Sequence, residues 1–227
     1  MTQQEATHPH RTPLNKDRVL RAAVALADAT GIDALSMRRL AQELAVVPMA
    51  LYKHVANKEE LLDGMVDTVV GEIAPPTASP DWQSAVRGRI LSARRVLLRH
   101  PWAARVIESR TGPTPAVLAY LDSMAGSFRE GGLSADLTHH VMHAMGSRLL
   151  GFSQELFDAP APSGPPSPEL AAHYPHIAEL AATAAHGGGS PVGGGCDDQF
   201  EFEFALDLLL DGFESLRCQG WTSARKA

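Results

Sequence analysis

Apolar residues recur along most of the chain at spacings of three and four residues, which is the period of an amphipathic α-helix. Near the N-terminus this spacing predicts a first helix over Leu14–Thr30, with Val19 and Leu26 on its buried face and Gly31 as its stop. A wider apolar stripe predicts another helix over Lys58–Ile73. The beginning of the chain is therefore expected to be helical.

The segment between these two helices predicts two short helices joined by a tight turn. The first of them has an apolar face made of Met37, Leu40, Ala41 and Leu44. Pro48 fits the first turn of the second, because proline lacks a backbone N–H and has a fixed φ. This helix can extend only about two turns, through His54, because Asn57 and Glu60 form a capping-box pattern for the helix that follows.

The second short helix has the geometry of a DNA-reading helix. Leu51 and Val55 would anchor it on the buried side, which leaves Tyr52, Lys53 and His54 facing outward. Helices of this kind read base edges in the major groove. The pattern alone leaves open that Tyr52 is a core aromatic residue. The segment predicts a helix-turn-helix DNA-binding domain.

Beyond Pro75–Pro80, which interrupts the helical pattern, further apolar stripes predict more helices. The stripes consist of Val86, Ile90, Ala93 and Leu97; of Trp102 and Val106 after Pro101; of Leu118, Leu121, Ala125 and Phe128; and of Val141, Met145, Leu149 and Phe152. Ser134 is placed to cap the last of these helices. Residues 175–185 support a short alanine-rich helix.

The last segment, Asp197–Cys218, fits two interpretations. Phe200, Phe202 and Phe204 alternate with glutamates as in a strand, but the apolar residues also fit helical spacing. A helix is favoured, because about twenty residues is long for a strand and because aspartates at the start of the segment are good caps.

These elements predict an all-α fold with two parts. Residues 14–74 would form the N-terminal three-helix helix-turn-helix DNA-binding domain, and residues 75–220 a larger helical ligand-binding and dimerisation domain. Residues 1–13 are predicted to be a disordered arm, and residues 158–168 and 187–195 to be flexible, because proline, glycine and polar residues dominate these segments.

Charge is distributed unevenly along the chain. From Arg11 to Lys58, eight Lys and Arg stand against four Asp and Glu, a net charge of +4, which leaves −10 for the remainder of a chain whose net charge is −6. A basic head on an acidic body is expected when only one end approaches phosphates. A chance scatter of charge is the alternative.

Composition disfavours several classes of protein. No apolar run approaches the ~20 residues of a membrane span, and the N-terminus has no hydrophobic signal core, so a cytoplasmic protein is expected. Cys196 and Cys218 are expected to be reduced thiols, with a redox switch between them as the alternative. No phosphate-binding loop, nucleophile elbow or paired-carboxylate motif indicates an enzyme. The remaining enzymatic alternative is a metal-dependent one that uses His139, His140 and His143.

An ordered pattern of residues runs from Asp17 to Met65. It contains G-x-x-x-L-S-x-R-x-L-A from Gly31 to Ala41 and L-Y-x-H-V-x-N-K-x-x-L-L from Leu51 to Leu62. This stretch resembles the DNA-binding domain of the TetR family of transcriptional repressors. Within that family, LYKHVANKEELLDGM is most similar to the tetracycline-repressor branch.

The resemblance implies roles for individual residues. The positions implied to touch base edges are Met37, Arg38, Pro48, Met49, Ala50 and Lys53. The positions implied to hold the DNA backbone are Tyr52, His54 and Lys58. Arg38 could reach a guanine edge or a phosphate. The two methionines offer only thymine-methyl contact.

One reading helix supplies too little contact area for specific binding to double-stranded DNA. A homodimer would place two reading helices roughly 34 Å apart on a palindromic operator. The candidate dimer helices are residues 134–157 and 200–218, and the resemblance implies that such a pair forms a four-helix bundle with its mate. The alternative is that their apolar stripes only fill the core of one protomer.

The second part of the chain also offers a candidate effector pocket for a small, partly apolar molecule. Its candidate residues are Trp82, Arg89, Trp102, Ile107, His139, Met142, His143 and Phe152. Core packing is the alternative for the apolar ones. The spacing of the two histidines suits a metal, but no acidic residue lies in line with them, so no metal and no cofactor is predicted.

The resemblance also bears on the effector. Tetracycline repressors hold drug and magnesium with histidines and an asparagine, whereas this chain has Ala74, Arg89 and Ile107 at the corresponding places. An effector other than tetracycline is therefore expected. The sequence predicts a ligand-responsive homodimeric repressor, with a constitutive DNA-binding protein as the alternative.

Overall fold

The structure is a computed structural model, and it describes residues 13–76, 81–151, 168–176, 178–179 and 198–223. Within these ranges the regular elements are helices, and none of the described residues lies in a β-strand. The all-α prediction is confirmed.

From α1 to α8 the helices follow one another along the chain with connections of no more than about a dozen residues. They are α1 (Lys16–Thr30), α2 (Met37–Glu43), α3 (Pro48–Leu51), α4 (Lys58–Val70), α5 (Trp82–Arg99), α6 (Ala103–Ser109), α7 (Pro115–Glu130), α8 (Ala135–Gly151), α9 (Pro168–His173) and α10 (Asp198–Cys218). A single 3₁₀ turn, Ile32–Ala34, joins α1 to α2. Residues 175, 176, 178 and 179 are also helical and lie within the predicted alanine-rich helix.

Two predicted helices end earlier in the structure than the sequence pattern suggested. The reading helix was predicted to extend through His54, but α3 ends at Leu51. The N–H groups of His54 and Val55 both donate to Leu51 O, at 2.8 and 3.0 Å, so residues 52–54 form a hydrogen-bonded turn instead. Likewise α4 ends at Val70 rather than Ile73. After α3 the apolar pattern continues because the turn still buries Val55, whereas Ile73 after α4 is only partly buried.

The C-terminal segment is a helix, so the strand alternative is wrong. In α10, Phe202, Leu206, Leu210 and Phe213 are buried, at the spacing of three and four that a helix requires. Helix α9 was not predicted, because the proline-rich segment before it was expected to extend to Pro168, which is instead the first residue of the helix. The arm 1–13 and the segments 158–168 and 187–195 lie outside the described residues, apart from Pro13 and Pro168.

The chain divides into two compact units. The first consists of residues 1–74 together with 95–120, and the second of residues 75–94 together with 121–227. The buried core of the first unit is formed chiefly by Val19, Ala23, Leu40, Leu51, Val55, Leu61, Met65, Val66 and Val69. The core of the second is formed by Val86, Ile90, Phe128, Leu133, Val141, Phe202 and Leu206. Helices α5 and α7 contribute residues to both units.

Candidate DNA-binding surface and effector groove

The turn between α2 and α3 is tight. The side chain of Ser36 caps α2 by accepting from the N–H of Arg39 at 3.2 Å. After α2, Ala45 adopts a left-handed conformation with φ 53°, and the N–H of Val46 then donates to Ala41 O at 2.9 Å. A non-glycine residue in this region costs about 1–2 kcal/mol. Leu51, fully buried, and Val55 hold α3 against the rest of the unit.

Exposed apolar and aromatic side chains lie on α3 and on the residues that flank it. Val47 is 68% exposed, Met49 70% and Tyr52 44%. Tyr52 is therefore not a core residue, which decides against the alternative that the pattern left open. Val47 was not among the predicted site residues, because it precedes the helix and no periodicity includes it.

The structure brings the nine predicted DNA-binding residues together on α2, α3, the turn after α3 and the first residue of α4. Arg38, Pro48, Met49, Tyr52, Lys53 and Lys58 are exposed, and Met37, Ala50 and His54 are partly exposed. None of them is buried. Their side chains are thus available to a ligand on this side of the first unit.

The start of α4 is fixed by a capping box. The N–H of Glu60 donates to Asn57 Oδ1 at 2.8 Å, and the Glu60 carboxylate accepts from the N–H of Ala56 at 2.7 Å and from Lys16 Nζ at 2.7 Å. The hydrogen bond from Lys16, followed by that from Ala56, holds the pKa of Glu60 below its ordinary value. These contacts set the position of Lys58 at the first residue of the helix.

A largely buried arginine also contacts α4. The Arg110 guanidinium donates to the Glu59 carboxylate and to Asp63 Oδ1 at 3.0 Å. The contact with Glu59 is the main reason that the pKa of Arg110 is raised. The side chain of Arg110 is only 14% exposed, and these two carboxylates balance its positive charge.

Three of the predicted effector residues, His139, Met142 and His143, lie together in a groove of about 540 Å³ between α7 and α8 of the second unit. The groove is lined by Leu121, Ala125, Arg129, Ala135, Thr138, His139, Met142 and His143. The ring centroids of the two predicted histidines are 4.7 Å apart. The lining is apolar with a few polar groups, as ligand pockets are.

Thr138 is a polar residue of this groove that the sequence did not indicate. Its side chain is 6% exposed, and among the described residues its Oγ1 has no hydrogen-bond partner. A buried hydroxyl without a partner costs about 1–3 kcal/mol. No sequence signal could have found it, because whether a helical threonine is satisfied depends on its tertiary neighbours.

Two other predicted pocket residues belong to the same unit but do not line this groove. The indole N–H of Trp82 donates to Glu214 Oε2 at 3.2 Å, and its ring lies 5.7 Å from that of Phe128, centroid to centroid. Hydrogen bonds from Arg217 first, and also from Trp82, lower the pKa of Glu214 to about 2. Arg89 is partly exposed.

The remaining predicted pocket residues lie elsewhere. Trp102 and Ile107 belong to the first unit. Trp102 is buried, and its indole N–H donates to Asp28 Oδ1 at 2.7 Å. His100 Nδ1 lies 2.8 Å from the same oxygen, and Nε2 lies 3.3 Å from Glu72 Oε2. Phe152 lies outside the described residues.

Neither a metal site nor a membrane span is found within the described ranges. Among these residues, no three or more His, Cys, Asp or Glu are grouped so that they could hold a metal ion. No described helix combines the length and the apolar character needed to cross a bilayer.

A short exposed helix that follows another helix after a tight turn defines a helix-turn-helix regulator. Residues 19–65 match the family model described as bacterial regulatory proteins, tetR family. Residues 74–217 match the model described as tetracyclin repressor-like, C-terminal domain. The chain belongs to the TetR family of transcriptional regulators, as its resemblance implied.

Individual relatives agree with this assignment. An HTH-type transcriptional regulator of Saccharopolyspora erythraea is 41% identical over 47% of this chain, and the match spans 45% of that relative's length. The HTH-type transcriptional repressor DrrR1 of Streptomyces coeruleorubidus is 30% identical over 93% of this chain and 82% of its own length.

Solved structures share the fold. Apo ActR from Streptomyces coelicolor superimposes with a TM-score of 0.73 at 27% identity, over 92% of this chain and 99% of ActR. ActR in complex with actinorhodin gives a TM-score of 0.66 at 27% identity, over 90% of this chain and 98% of ActR. These comparisons point to a family of regulators rather than of enzymes.

Proposed function

We propose that the chain is a cytoplasmic homodimeric repressor that binds a palindromic operator through residues Met37–Lys58 and is released by a small-molecule effector. The observation that carries the proposal is that Met49 on α3, and Tyr52 and Lys53 in the turn after it, are all exposed, as is Arg38 on α2. No hydrogen bond or ion pair ties the side chains of Arg38 and Lys53 to another described residue. Exposed cations together with exposed apolar side chains suit the phosphates and base edges of a major groove.

The roles of the site residues follow from their chemistry. Arg38 and Lys53 carry donors that can read guanine or bind phosphate. Tyr52, His54 and Lys58 carry donors suited to phosphate oxygens. Met37, Pro48, Met49 and Ala50 have no such donor and are assigned to apolar contact with bases. The division proposed for the chain is a DNA-binding domain over residues 14–74 and an effector-binding and dimerisation domain over residues 75–220.

A second protomer is needed because one helix of this size buries little area on DNA. Helix α10 supports dimerisation, because Phe200, Phe204 and Leu208 form an exposed apolar stripe along it. The rings of Phe200 and Phe204 are nearly parallel, with centroids 6.3 Å apart. An exposed stripe of large apolar side chains indicates an interaction surface.

The groove between α7 and α8 is the proposed effector site. Its apolar wall suits a ring system, and Arg129, His139 and His143 suit an acidic or phenolic oxygen. The hydroxyl of Thr138 would gain its missing partner from such a ligand. Trp82, Arg89, Trp102, Ile107 and Phe152 stay predictions as effector contacts. A ligand lowers operator occupancy only if it binds the state of the protein that does not bind DNA more tightly than the state that does. The size of the effect is set by the ratio of these two affinities.

The test is selection of bound DNA from a random pool with the full-length chain, followed by titration of the complex with actinorhodin, the molecule found in ActR. We expect a palindromic site and release by actinorhodin or a related acidic aromatic compound, whereas tetracycline with magnesium should not release the DNA. Enrichment of no sequence would refute the proposal of a repressor. Sequence-specific binding that none of a panel of acidic aromatic compounds weakens would favour the constitutive alternative.

Thr138→Val tests the groove with two opposite effects. Because valine removes the hydroxyl without a partner at nearly equal volume, the free energy of unfolding of the ligand-free protein should rise by about 1 kcal/mol. The releasing compound should bind the variant more weakly. DNA affinity without the compound should stay unchanged. Ser134→Ala is the control, because its hydroxyl accepts from the N–H of Leu137 and its loss should lower stability.

A further inference from the structure

Val47 and Met49 flank Pro48 at the start of α3, and their side chains are the most exposed large apolar ones among the described residues. Val47 is the residue that precedes the helix, in an extended conformation, and Met49 is its second residue. Both are more than two-thirds exposed, although Leu51, two residues further on, is fully buried. We call Val47 and Met49 the apolar tip of α3.

Exposed cations lie on the elements that precede and follow the apolar tip in the chain. Arg38 on α2, Lys53 in the turn after α3 and Lys58 at the first residue of α4 are exposed, and the segment from Arg11 to Lys58 has a net charge of +4. A polyanion is therefore the complementary partner. In a major groove, the base edges carry donors and acceptors at every base pair, but only thymine presents an apolar group, its 5-methyl. Valine has no hydrogen-bonding atom, and methionine has only a weak acceptor.

We propose that the apolar tip selects operators with thymines at the positions it faces, by packing on their 5-methyl groups. This inference rests on the proposed operator binding and names what part of the operator is read. The flexible thioether of Met49 suits a methyl whose position varies with local DNA shape. The branched side chain of Val47 has fewer rotamers and should be the more position-dependent reader.

Uracil in DNA tests this without changing base pairing, because deoxyuridine pairs as thymidine does but lacks the methyl group. After the operator has been selected, each thymine of a half-site is replaced in turn, and affinity is measured by fluorescence anisotropy at fixed salt. Burial of one methyl-sized group predicts a loss of about fourfold at one or two positions, and about fifteenfold when both half-sites are changed together. An operator in which 5-methylcytosine–guanine replaces the same thymine–adenine pair should bind more tightly than one in which unmethylated cytosine–guanine replaces it.

Variants assign the contacts to residues. In Met49→Ala, replacing thymine by uracil should no longer weaken binding at one operator position, and in Val47→Ala it should no longer weaken binding at another. The remaining positions should behave as in the wild type. Arg38→Ala is the control, because it should weaken binding and relax a guanine preference but keep both uracil effects.

The possible outcomes separate the inference from the proposed function. If the operator is bound specifically and no thymine can be distinguished from uracil, the inference is wrong and the repressor proposal stands. If the uracil effects persist in both alanine variants, the readers are other residues. If no DNA sequence is enriched at all, the repressor proposal fails and the inference fails with it.

Discussion

Gly31 ends α1 in a backbone conformation that residues with a side chain rarely adopt. Its φ is 79° and its ψ 155°, in a region used almost only by glycine. Its N–H donates to Ala27 O at 2.8 Å, and a Cβ built at this position would meet nothing within 4 Å. The conformation therefore needs glycine for its backbone freedom and not for space.

Gly31→Ala should lower the free energy of unfolding by about 1–3 kcal/mol, the usual cost of a strained backbone. Gly88→Ala is the matched control. Gly88 lies inside α5, and a Cβ there would also meet nothing within 4 Å, so alanine should stabilise the protein by about 0.5–1 kcal/mol. Urea unfolding at one protein concentration measures both. If both variants changed the free energy of unfolding in the same direction, the backbone conformation of Gly31 would not be the reason for its effect.

Local signals of this kind are what the sequence predicts well. The stop at Gly31, the cap at Ser36 and the capping box at Asn57 each depend on atoms within four residues of one another. The indole of Trp102 shows the limit, because its partner, Asp28, lies 74 residues earlier in the chain. No local pattern indicates such a contact, and a buried tryptophan is as compatible with a pocket as with a core.

At the scale of elements, α10 explains why its sequence was ambiguous. Its buried stripe contains Phe202, Leu206 and Leu210, and its exposed stripe contains Phe200, Phe204 and Leu208. Two apolar stripes offset by two residues imitate the alternation of a strand, although each has the helical spacing of four. The segment was long enough for helix to be preferred. Which stripe is buried could not be predicted, because both are apolar.

Leu208→Glu should convert the proposed homodimer to a monomer, because a carboxylate without a partner is costly to bury in an apolar interface. Light scattering at micromolar concentration measures the change. Leu118→Glu on α7 is the control, because the exposures of Leu118 and Leu208 are similar, 53% and 58%, but Leu118 lies off the α10 stripe. A monomeric wild-type protein, or a Leu208→Glu variant that remains dimeric, would contradict the assignment of this stripe.

At the scale of the whole molecule, the net charge of −6 is the sum of a basic segment and an acidic remainder. Phosphates attract the segment from Arg11 to Lys58 and repel the remainder, whose charge is −10. Long-range electrostatics therefore favours encounters in which the basic segment faces the DNA. A chain judged by its overall charge alone would not be taken for a DNA-binding protein.

Affinity for the operator should fall steeply as salt rises, because each neutralised phosphate releases counterions. Lys58→Ala should weaken binding to all sequences alike and reduce the salt slope by about one for each protomer. Arg95→Ala removes the same charge from an exposed position on α5 and should leave the slope unchanged. An equal effect of the two variants would mean that overall charge, and not contact at Lys58, sets the slope.

Arg110 has a mechanical consequence for the first unit. Its guanidinium holds Glu59 and Asp63 on successive turns of α4, directly after the residue assigned to the DNA backbone. Because the side chains of Glu59 and Asp63 are 66% and 48% exposed, each ion pair contributes only about 0.2–1 kcal/mol. The loop that follows α6 and the start of α4 are thereby linked by two ion pairs, so the contacts of Arg110 would oppose a displacement of Lys58 relative to that loop.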